Sequence, residues 1–182
     1  MPIALNTSDV KQAPRAERLA SGEAGLDALI VEIAGRHYGL PAPLVAGMMR
    51  AAAVSPAASA AEIEGLVNLH GTIVPLFDLR AWLHLPPKPI EPSDHFIEIG
   101  RDSRRLLVRV DRTIDLVRLA PKDLVRGAAN LRDAACFFLI AKRPGELAPI
   151  LDLEALLRGA RAETSAAEAG AAEQTVRQEA SA

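Results

Sequence analysis

Residues 65–80 read Gly-Leu-Val-Asn-Leu-His-Gly-Thr-Ile-Val-Pro-Leu-Phe-Asp-Leu-Arg and carry the clearest structural signal in the chain. Two aliphatic runs flank the pair His70-Gly71, and a glycine there can supply the positive φ that a tight turn requires. The segment is therefore predicted to form a β-hairpin. Because Pro75 cannot donate a hydrogen bond to a ladder, we expect it at a strand edge or a bulge.

The end of this hairpin is repeated 74 residues later in the chain. Val-Pro-Leu-Phe-Asp-Leu-Arg-Ala-Trp-Leu at 74–83 corresponds to Ala-Pro-Ile-Leu-Asp-Leu-Glu-Ala-Leu-Leu at 148–157. In each copy a strand that contains proline reaches an aspartate, and the apolar residues that follow share one face of a short helix. Asp78 and Asp152 are therefore predicted to be structural N-caps of these helices rather than a catalytic pair of carboxylates.

Short strands separated by turn signals continue on both sides of the repeat. The segment 85–93 contains four prolines in nine residues and indicates an extended connector between two lobes. Many short strands with little helix are typical of small barrels or a sandwich. Besides the central hairpin, strands are predicted at 28–34, 37–40, 96–99, 104–110, 113–119, 135–141 and 147–151.

The composition excludes several classes of function. The chain of 182 residues has 21 Lys and Arg against 23 Asp and Glu, so no broad basic face is available for nucleic acid. Aromatic residues make up only 3%, which argues against a platform that stacks bases. Cys136 is the only cysteine, which excludes an internal disulfide, and its apolar neighbours predict a small buried side chain rather than a nucleophile.

The two ends of the chain are predicted to be disordered. Residues 1–26 and 159–182 have too few large apolar side chains to offset the entropy of ordering. The folded domain is expected at 27–158, with lobes at about 27–88 and 94–158 whose order of packing stays open. No signal peptide is evident, and no apolar run approaches the roughly 20 residues that span a bilayer, so we expect a cytoplasmic protein without membrane insertion.

The segment 65–80 and its repeat resemble the CheW-like family, adaptor domains of bacterial chemotaxis arrays. The family pattern is roughly G-[VI]-x-N-L-R-G-x-[VI]-[VI]-P-[VIL]-[VI]-D-L-R. Supporting similarities are Tyr38-Gly39 after the opening strand, Val110-Asp111 after a later strand, and the segment 150–157. The positions that match the pattern are Gly65, Asn68, Leu69, Gly71, Ile73, Val74, Pro75, Asp78, Leu79 and Arg80.

The resemblance implies a mainly β fold of two small five-stranded SH3-like barrel lobes that share a hydrophobic core, with short helices. It also implies a non-catalytic adaptor without a cofactor or metal, recruited to membrane-associated receptor arrays. Its partners would be the regulatory domain of a CheA-type histidine kinase and the cytoplasmic tip of a methyl-accepting chemoreceptor. The residues that the resemblance assigns to receptor binding are Val45, Met48, Gly65, Asn68, His70 and Gly71.

Two departures from the family pattern concern the receptor contact. His70 stands where the family has arginine, which offers a permanent charge and a planar fork of donors that histidine lacks. Either the contact is altered or His70 simply faces solvent. Gly47 stands where the family usually has an acidic residue, and the adjacent Met48 and Met49 suit either an adaptable surface or the core. A bulky charged residue at Val45 or Gly65 is expected to abolish receptor coupling without unfolding the domain.

Two alternatives remain open at this stage. One is a CheW-like scaffold in a receptor–kinase pathway outside chemotaxis. The other is a small enzyme with a His/Asp site, although no zinc-protease spacing, nucleophile elbow or phosphate loop occurs. Such a site would recruit Asp78 or Asp94 and the four histidines, which are otherwise expected at the surface or in turns: His37, His70, His84 and His95.

Overall fold

Eleven strands are found in the described part of the computed structural model, which comprises residues 25–56, 63–101, 104–126 and 136–158. They are β1 (Leu26–Ile33), β2 (Arg36–Pro41), β3 (Val45–Arg50), β4 (Ile63–Leu69), β5 (Thr72–Asp78), β6 (His95–Arg101), β7 (Arg104–Val110), β8 (Arg112–Leu119), β9 (Leu124–Arg126), β10 (Phe137–Arg143) and β11 (Glu146–Leu151). The helices are α1 (Leu79–Trp82), α2 (153–158) and 3-10 turns at Ala42–Leu44 and Pro121–Asp123.

The strands form two sheets, which confirms the mainly β fold class. Sheet A has the order β8-β1-β2-β11-β10-β9, and sheet B has the order β3-β6-β7-β5-β4. The expected number of five strands is found in sheet B, whereas the short strand β9 gives sheet A a sixth. In the described part of the chain, none of the helices has the length and apolar character that a membrane crossing requires.

The sheets do not divide the chain at the proline-rich connector. Sheet B is built from 45–110, whereas sheet A combines the opening hairpin with strands from 112–151. The expected lobes at 27–88 and 94–158 therefore need correction. The reason is non-local pairing, because β1 pairs antiparallel with β8 and β2 pairs in parallel with β11.

The two segments that the sequence predicts to be disordered fall largely outside the described residues. This applies to the expectations of disorder for 1–24 and 159–182. Leu26, which the sequence placed in the N-terminal disordered segment, is instead a buried residue at the start of β1. Its neighbour across the ladder is Leu119 of β8.

The two sheets have the same strand order once β9 is set aside. Strands β3-β6-β7-β5-β4 of sheet B correspond in turn to β8-β1-β2-β11-β10 of sheet A. The offset of 74 residues relates β4 to β10 and β5 to β11. The parallel pairings also correspond: they begin at Leu76↔Leu107 and at Ile150↔Gly39, in each case one residue after the proline of the strand. The missing proline N–H therefore interrupts neither parallel ladder.

A shared hydrophobic core lies between the sheets. Successive side chains of a strand point to opposite faces. One set therefore packs in the shared core, and the other packs in a separate core that belongs to one sheet alone. In β5, Phe77 packs in the shared core, whereas Val74 and Leu76 belong to the core of sheet B. Leu151 of β11 joins the shared core in the same way. Cys136 is buried there with its Sγ 3.3 Å from the carbonyl oxygen of Trp82, as a small core side chain.

Candidate functional site

The turn between β4 and β5 is built by three residues of the motif. His70 and Gly71 both have positive φ, at 52° and 90°, which suits a two-residue hairpin turn that follows the twist of the strands. The side-chain oxygen Oδ1 of Asn68 accepts a hydrogen bond of 2.7 Å from the Gly71 N–H. Asn68 and Gly71 therefore fix the backbone of the turn and leave the His70 side chain exposed.

A cavity of about 300 Å³ lies beside this turn on sheet B. Met48 and Met49 of β3 line it, and Phe96 and Leu107 from the core of sheet B reach it from below. Met48 is 58% exposed, so it is not a core residue, whereas Met49 packs against the sheet B core. We call this cavity the sheet B groove, lined by Met48, Met49, His70, Phe96, Glu98 and Arg105 among others.

One wall of the sheet B groove carries an ion pair. Arg105 Nε of β7 donates to Glu98 Oε1 of β6 in a short contact. Because Glu98 lies opposite Leu107 in the ladder, Glu98 and Arg105 form a diagonal pair on one face of the sheet. The Glu98 side chain is 15% exposed and that of Arg105 is 51% exposed. The groove therefore combines an apolar floor with an anchored guanidinium.

Two of the residues predicted to bind a receptor, Val45 and Gly65, do not line the sheet B groove. Val45 begins β3, pairs with Ile99 and packs against the shared core. A Cβ atom on Gly65 would overlap Val54 Cγ1 and lie 2.6 Å from the Ser55 carbonyl oxygen. The expectation that a bulky charged residue at Gly65 leaves the fold intact is therefore wrong, because the close approach of the 54–55 backbone requires glycine.

The ordered motif and the two sheets agree with the comparison to known families. The family model described as the CheW-like domain matches residues 27–161. The chain belongs to the CheW-like domain family. Among solved structures, the crystal structure of the scaffolding protein TtCheW from Thermoanaerobacter tengcongensis is similar at a TM-score of 0.65. The two are 18% identical, and the match covers 70% of this chain and 89% of that chain, so it supports the fold. No curated protein matches the chain significantly.

Arg80, the last residue of the CheW-like motif, is buried at the boundary between the sheets. Its Nη2 lies 2.7 Å from both carboxylate oxygens of Asp111. Asp111 also accepts a hydrogen bond of 2.8 Å from the Ala34 N–H in the β1–β2 turn, and its own N–H donates to the Glu32 carbonyl. Burial opposes ionisation of Asp111, but the hydrogen bonds from Arg80 and Ala34, together with the charges of Arg80 and Lys88, outweigh burial and hold its pKa below the usual value. Arg80 thus joins α1 to sheet A through Asp111.

A second buried arginine of the CheW-like domain, Arg109, is surrounded by three carboxylates. Its Nη1 lies 3.4 Å from Asp94 Oδ2, its Nη2 lies 3.5 Å from Asp78 Oδ2, and Nη2 donates to the Lys88 carbonyl. Its Nε lies 2.9 Å from Glu64 Oε2, but the geometry is not that of a hydrogen bond. Burial raises the pKa of Glu64, and Asp78 and Asp94 add to this effect against the opposing Arg109. These charges tie the proline-rich connector to sheet B.

The two aspartates of the repeat bond to helical backbone. Asp78 Oδ1 accepts from the Arg80 N–H at 2.8 Å, and Asp152 Oδ1 accepts from the Ala155 N–H at 2.8 Å. Both carboxylates therefore satisfy N–H groups at helix starts. Among the residues that the structure describes, no group of three or more His, Cys, Asp or Glu side chains is placed to hold a metal ion.

The four histidines lie at separate positions of the CheW-like domain. His70 and His84 are exposed turn residues with φ of 52°. His37 Nδ1 lies 2.5 Å from Glu146 Oε2 in sheet A. His95 Nδ1 accepts from the Thr113 N–H at 3.1 Å, and burial together with Arg50 lowers the His95 pKa.

Proposed function

We propose that this CheW-like domain is a non-catalytic adaptor that couples the cytoplasmic tips of methyl-accepting chemoreceptors to a CheA-type histidine kinase. The observation that carries the proposal is the family match over residues 27–161. The similar solved structure is described as a scaffolding protein, which agrees with such a role. In this proposal the chain is cytoplasmic and is recruited to receptor arrays at the membrane.

An adaptor needs two binding surfaces, and exposed apolar side chains on both sheets support this. On sheet B, Met48 and Ile73 are largely exposed. On sheet A, Leu116 of β8 and Leu147 of β11 are also largely exposed. Ile73 and Leu147 occupy equivalent positions, because the offset of 74 residues separates them. Exposed apolar surface is available for a protein–protein contact on each sheet.

We assign the sheet B groove to the receptor tip. A helical hairpin presents apolar side chains at helical spacing, and a groove with an adaptable methionine at its rim can accept one. Among the residues implied in receptor binding, Asn68 and Gly71 would act by fixing the turn. Val45 and Gly65 would act by placing β3 and β4. Met48 and His70 would then be the side chains that touch the receptor.

We assign the exposed apolar residues of sheet A to the regulatory domain of the kinase. This assignment separates the two partners on the two sheets, so one chain can hold both at once. It predicts that a charge on one sheet removes one partner and spares the other. Met48 and Leu116 are a matched pair for the test, because both are large, apolar and exposed residues of strands.

The experiment is co-sedimentation of the full chain with a receptor-tip hairpin and, separately, with the regulatory domain of a CheA-type kinase. Met48→Glu is expected to lose the receptor tip and keep the kinase domain, whereas Leu116→Glu is expected to do the reverse. Circular dichroism and thermal unfolding of both variants serve as controls for folding. The wild-type chain failing to bind either partner would contradict the chemotaxis role and favour a receptor–kinase pathway outside chemotaxis. Turnover in hydrolase or kinase assays that disappears on replacing Asp94 or His95 would favour an enzyme.

A further inference from the structure

We propose that Arg105 determines which partner the sheet B groove accepts, by binding an acidic side chain of the receptor tip. This inference rests on the proposed receptor contact and adds the chemistry that the contact recognises. Arg105 lies on the same cavity as Met48 and His70. The groove would therefore accept a helix that places an Asp or Glu close to an apolar side chain.

The guanidinium of Arg105 is held in place and still has donors available. Its Nε donates to Glu98, and the structure gives no partner among the described residues for its two Nη groups. These groups carry four N–H donors in a planar fork that matches a carboxylate. Because Glu98 is the more buried of the two and Arg105 is half-exposed, the pair fixes the guanidinium at the rim. Less side-chain entropy is then lost when a carboxylate binds.

Arg105 supplies the permanent cation that the β4–β5 turn lacks. His70 occupies the motif position of an arginine, and an imidazole offers neither a permanent charge nor a fork of donors. The cavity nevertheless has a guanidinium, contributed by β7 instead of the turn. In this chain the permanent cation of the groove therefore comes from β7 rather than from the turn.

The surroundings of Arg105 favour a carboxylate beside an apolar group. Phe96 and Leu107 lie at the base of the cavity, and Met48 projects at its rim. An apolar side chain of the partner would cover these residues and exclude water from the ion pair. Removing water strengthens the attraction between the guanidinium and the incoming carboxylate. Because Glu98 is largely buried and the Nη groups of the more exposed Arg105 face no described partner, an acidic helix of the receptor tip fits this groove better than a basic one.

The first test is isothermal titration of the full-length protein with a purified receptor-tip hairpin. Arg105→Gln keeps a donor for Glu98 and removes the charge, so it should weaken binding about tenfold, as expected for losing one charge-assisted contact. The salt dependence of binding should decrease in the same variant. Arg112→Gln is the matched control, because Arg112 is 61% exposed and pairs with Glu32 at 2.7 Å on sheet A. Its affinity for the receptor tip should stay within about twofold of wild type.

The second test asks whether a cation placed at the turn can replace Arg105. In the double variant His70→Arg with Arg105→Gln, binding should recover most of the lost affinity. Binding of Arg105→Gln at wild-type affinity, or equal losses in Arg105→Gln and Arg112→Gln, would overturn the inference while the receptor contact itself stands. Failure of the wild-type chain to bind the tip would overturn both. Loss without recovery in the double variant would also contradict the idea that a cation on either side of the groove can serve the same contact.

Discussion

Arg80 Nη2 lies 2.7 Å from both oxygens of Asp111, and this ion pair connects the helix after the sheet B hairpin to the point where the chain enters sheet A. Arg80 closes the motif of residues 65–80, and Asp111 follows the last strand of sheet B. Because Asp111 also accepts from the Ala34 N–H of sheet A, the pair contributes to the joining of the two sheets. We therefore expect the Arg80–Asp111 pair to stabilise the fold rather than to contact a partner.

Arg80→Ala is expected to destabilise the domain by about 3 kcal/mol, because it leaves Asp111 charged and partly buried without its main partner. Urea unfolding monitored by circular dichroism measures this loss. Arg118→Ala is the control, because Arg118 pairs with Asp27 at 3.1 Å on the surface and should change stability by less than about 1 kcal/mol. Equal effects of the two variants would contradict a special role for the Arg80–Asp111 pair.

Gly65→Ala should cost about 1–3 kcal/mol, because the new Cβ overlaps Val54 and crowds the Ser55 carbonyl. Gly47→Ala provides the comparison within the same sheet. A Cβ on Gly47 would approach only Glu98 Oε2, at 3.7 Å, and should change stability by less than about 0.5 kcal/mol. The midpoints of chemical unfolding compare the two variants directly. A neutral Gly65→Ala would show that the 54–56 segment moves away easily.

Asp78→Ala should be more destabilising than Asp152→Ala. Each variant loses one cap hydrogen bond, which costs about 1 kcal/mol. Asp78 additionally faces the buried Arg109 at 3.5 Å, so its removal also weakens the charge balance around that arginine. Thermal unfolding of the two variants under the same buffer tests the order. Identical losses would mean that Asp78 contributes only its cap.

Glu64 should make the domain less stable as the pH rises. Its pKa is raised in the folded state, so the folded chain binds the proton more tightly than the unfolded chain. The contribution of Glu64 is then fully present below the unfolded pKa, about 4.3, and is lost as the pH rises through the folded value. Unfolding free energies measured across this window should fall more steeply for wild type than for Glu64→Gln. Parallel curves would contradict the raised pKa.

Local features of the fold could be predicted from the sequence because their causes lie within a few residues. The His70-Gly71 turn follows from residue types that tolerate positive φ, and the aspartates precede apolar helical patterns. Which strands belong to which sheet could not be predicted in this way. It depends on pairs such as β1 with β8, whose partners run from Leu26↔Leu119 to Glu32↔Arg112 and so lie 80 to 93 positions apart in the chain.

The candidate site was only partly predictable for a similar reason. Met48 and His70 were named from the sequence, and they line one groove. Arg105 was missed, because an arginine in a strand is normally assumed to be a solvated charge and its role depends on Glu98 across the ladder. Arg80 and Arg109 were also not foreseen as buried, although the match at Val110-Asp111 gave a signal for the partner of Arg80. Their burial requires carboxylates contributed by separate elements.

The arrangement of the strands has a consequence for synthesis on the ribosome. All strands of sheet B come from one continuous stretch, 45–110, whereas the β1–β2 hairpin must wait for β8 and β11 to emerge. We therefore expect sheet B to assemble first, with the earliest segment of the chain among the last to find its partners. A chain that stops near residue 110 would lack β8 to β11 of sheet A, together with Cys136, Leu151, Leu153 and Leu156 of the shared core. Only a chain that extends through β11 can complete both sheets. If the proposed assignment of sheet A to the kinase holds, a copy that ends earlier would lack that binding surface.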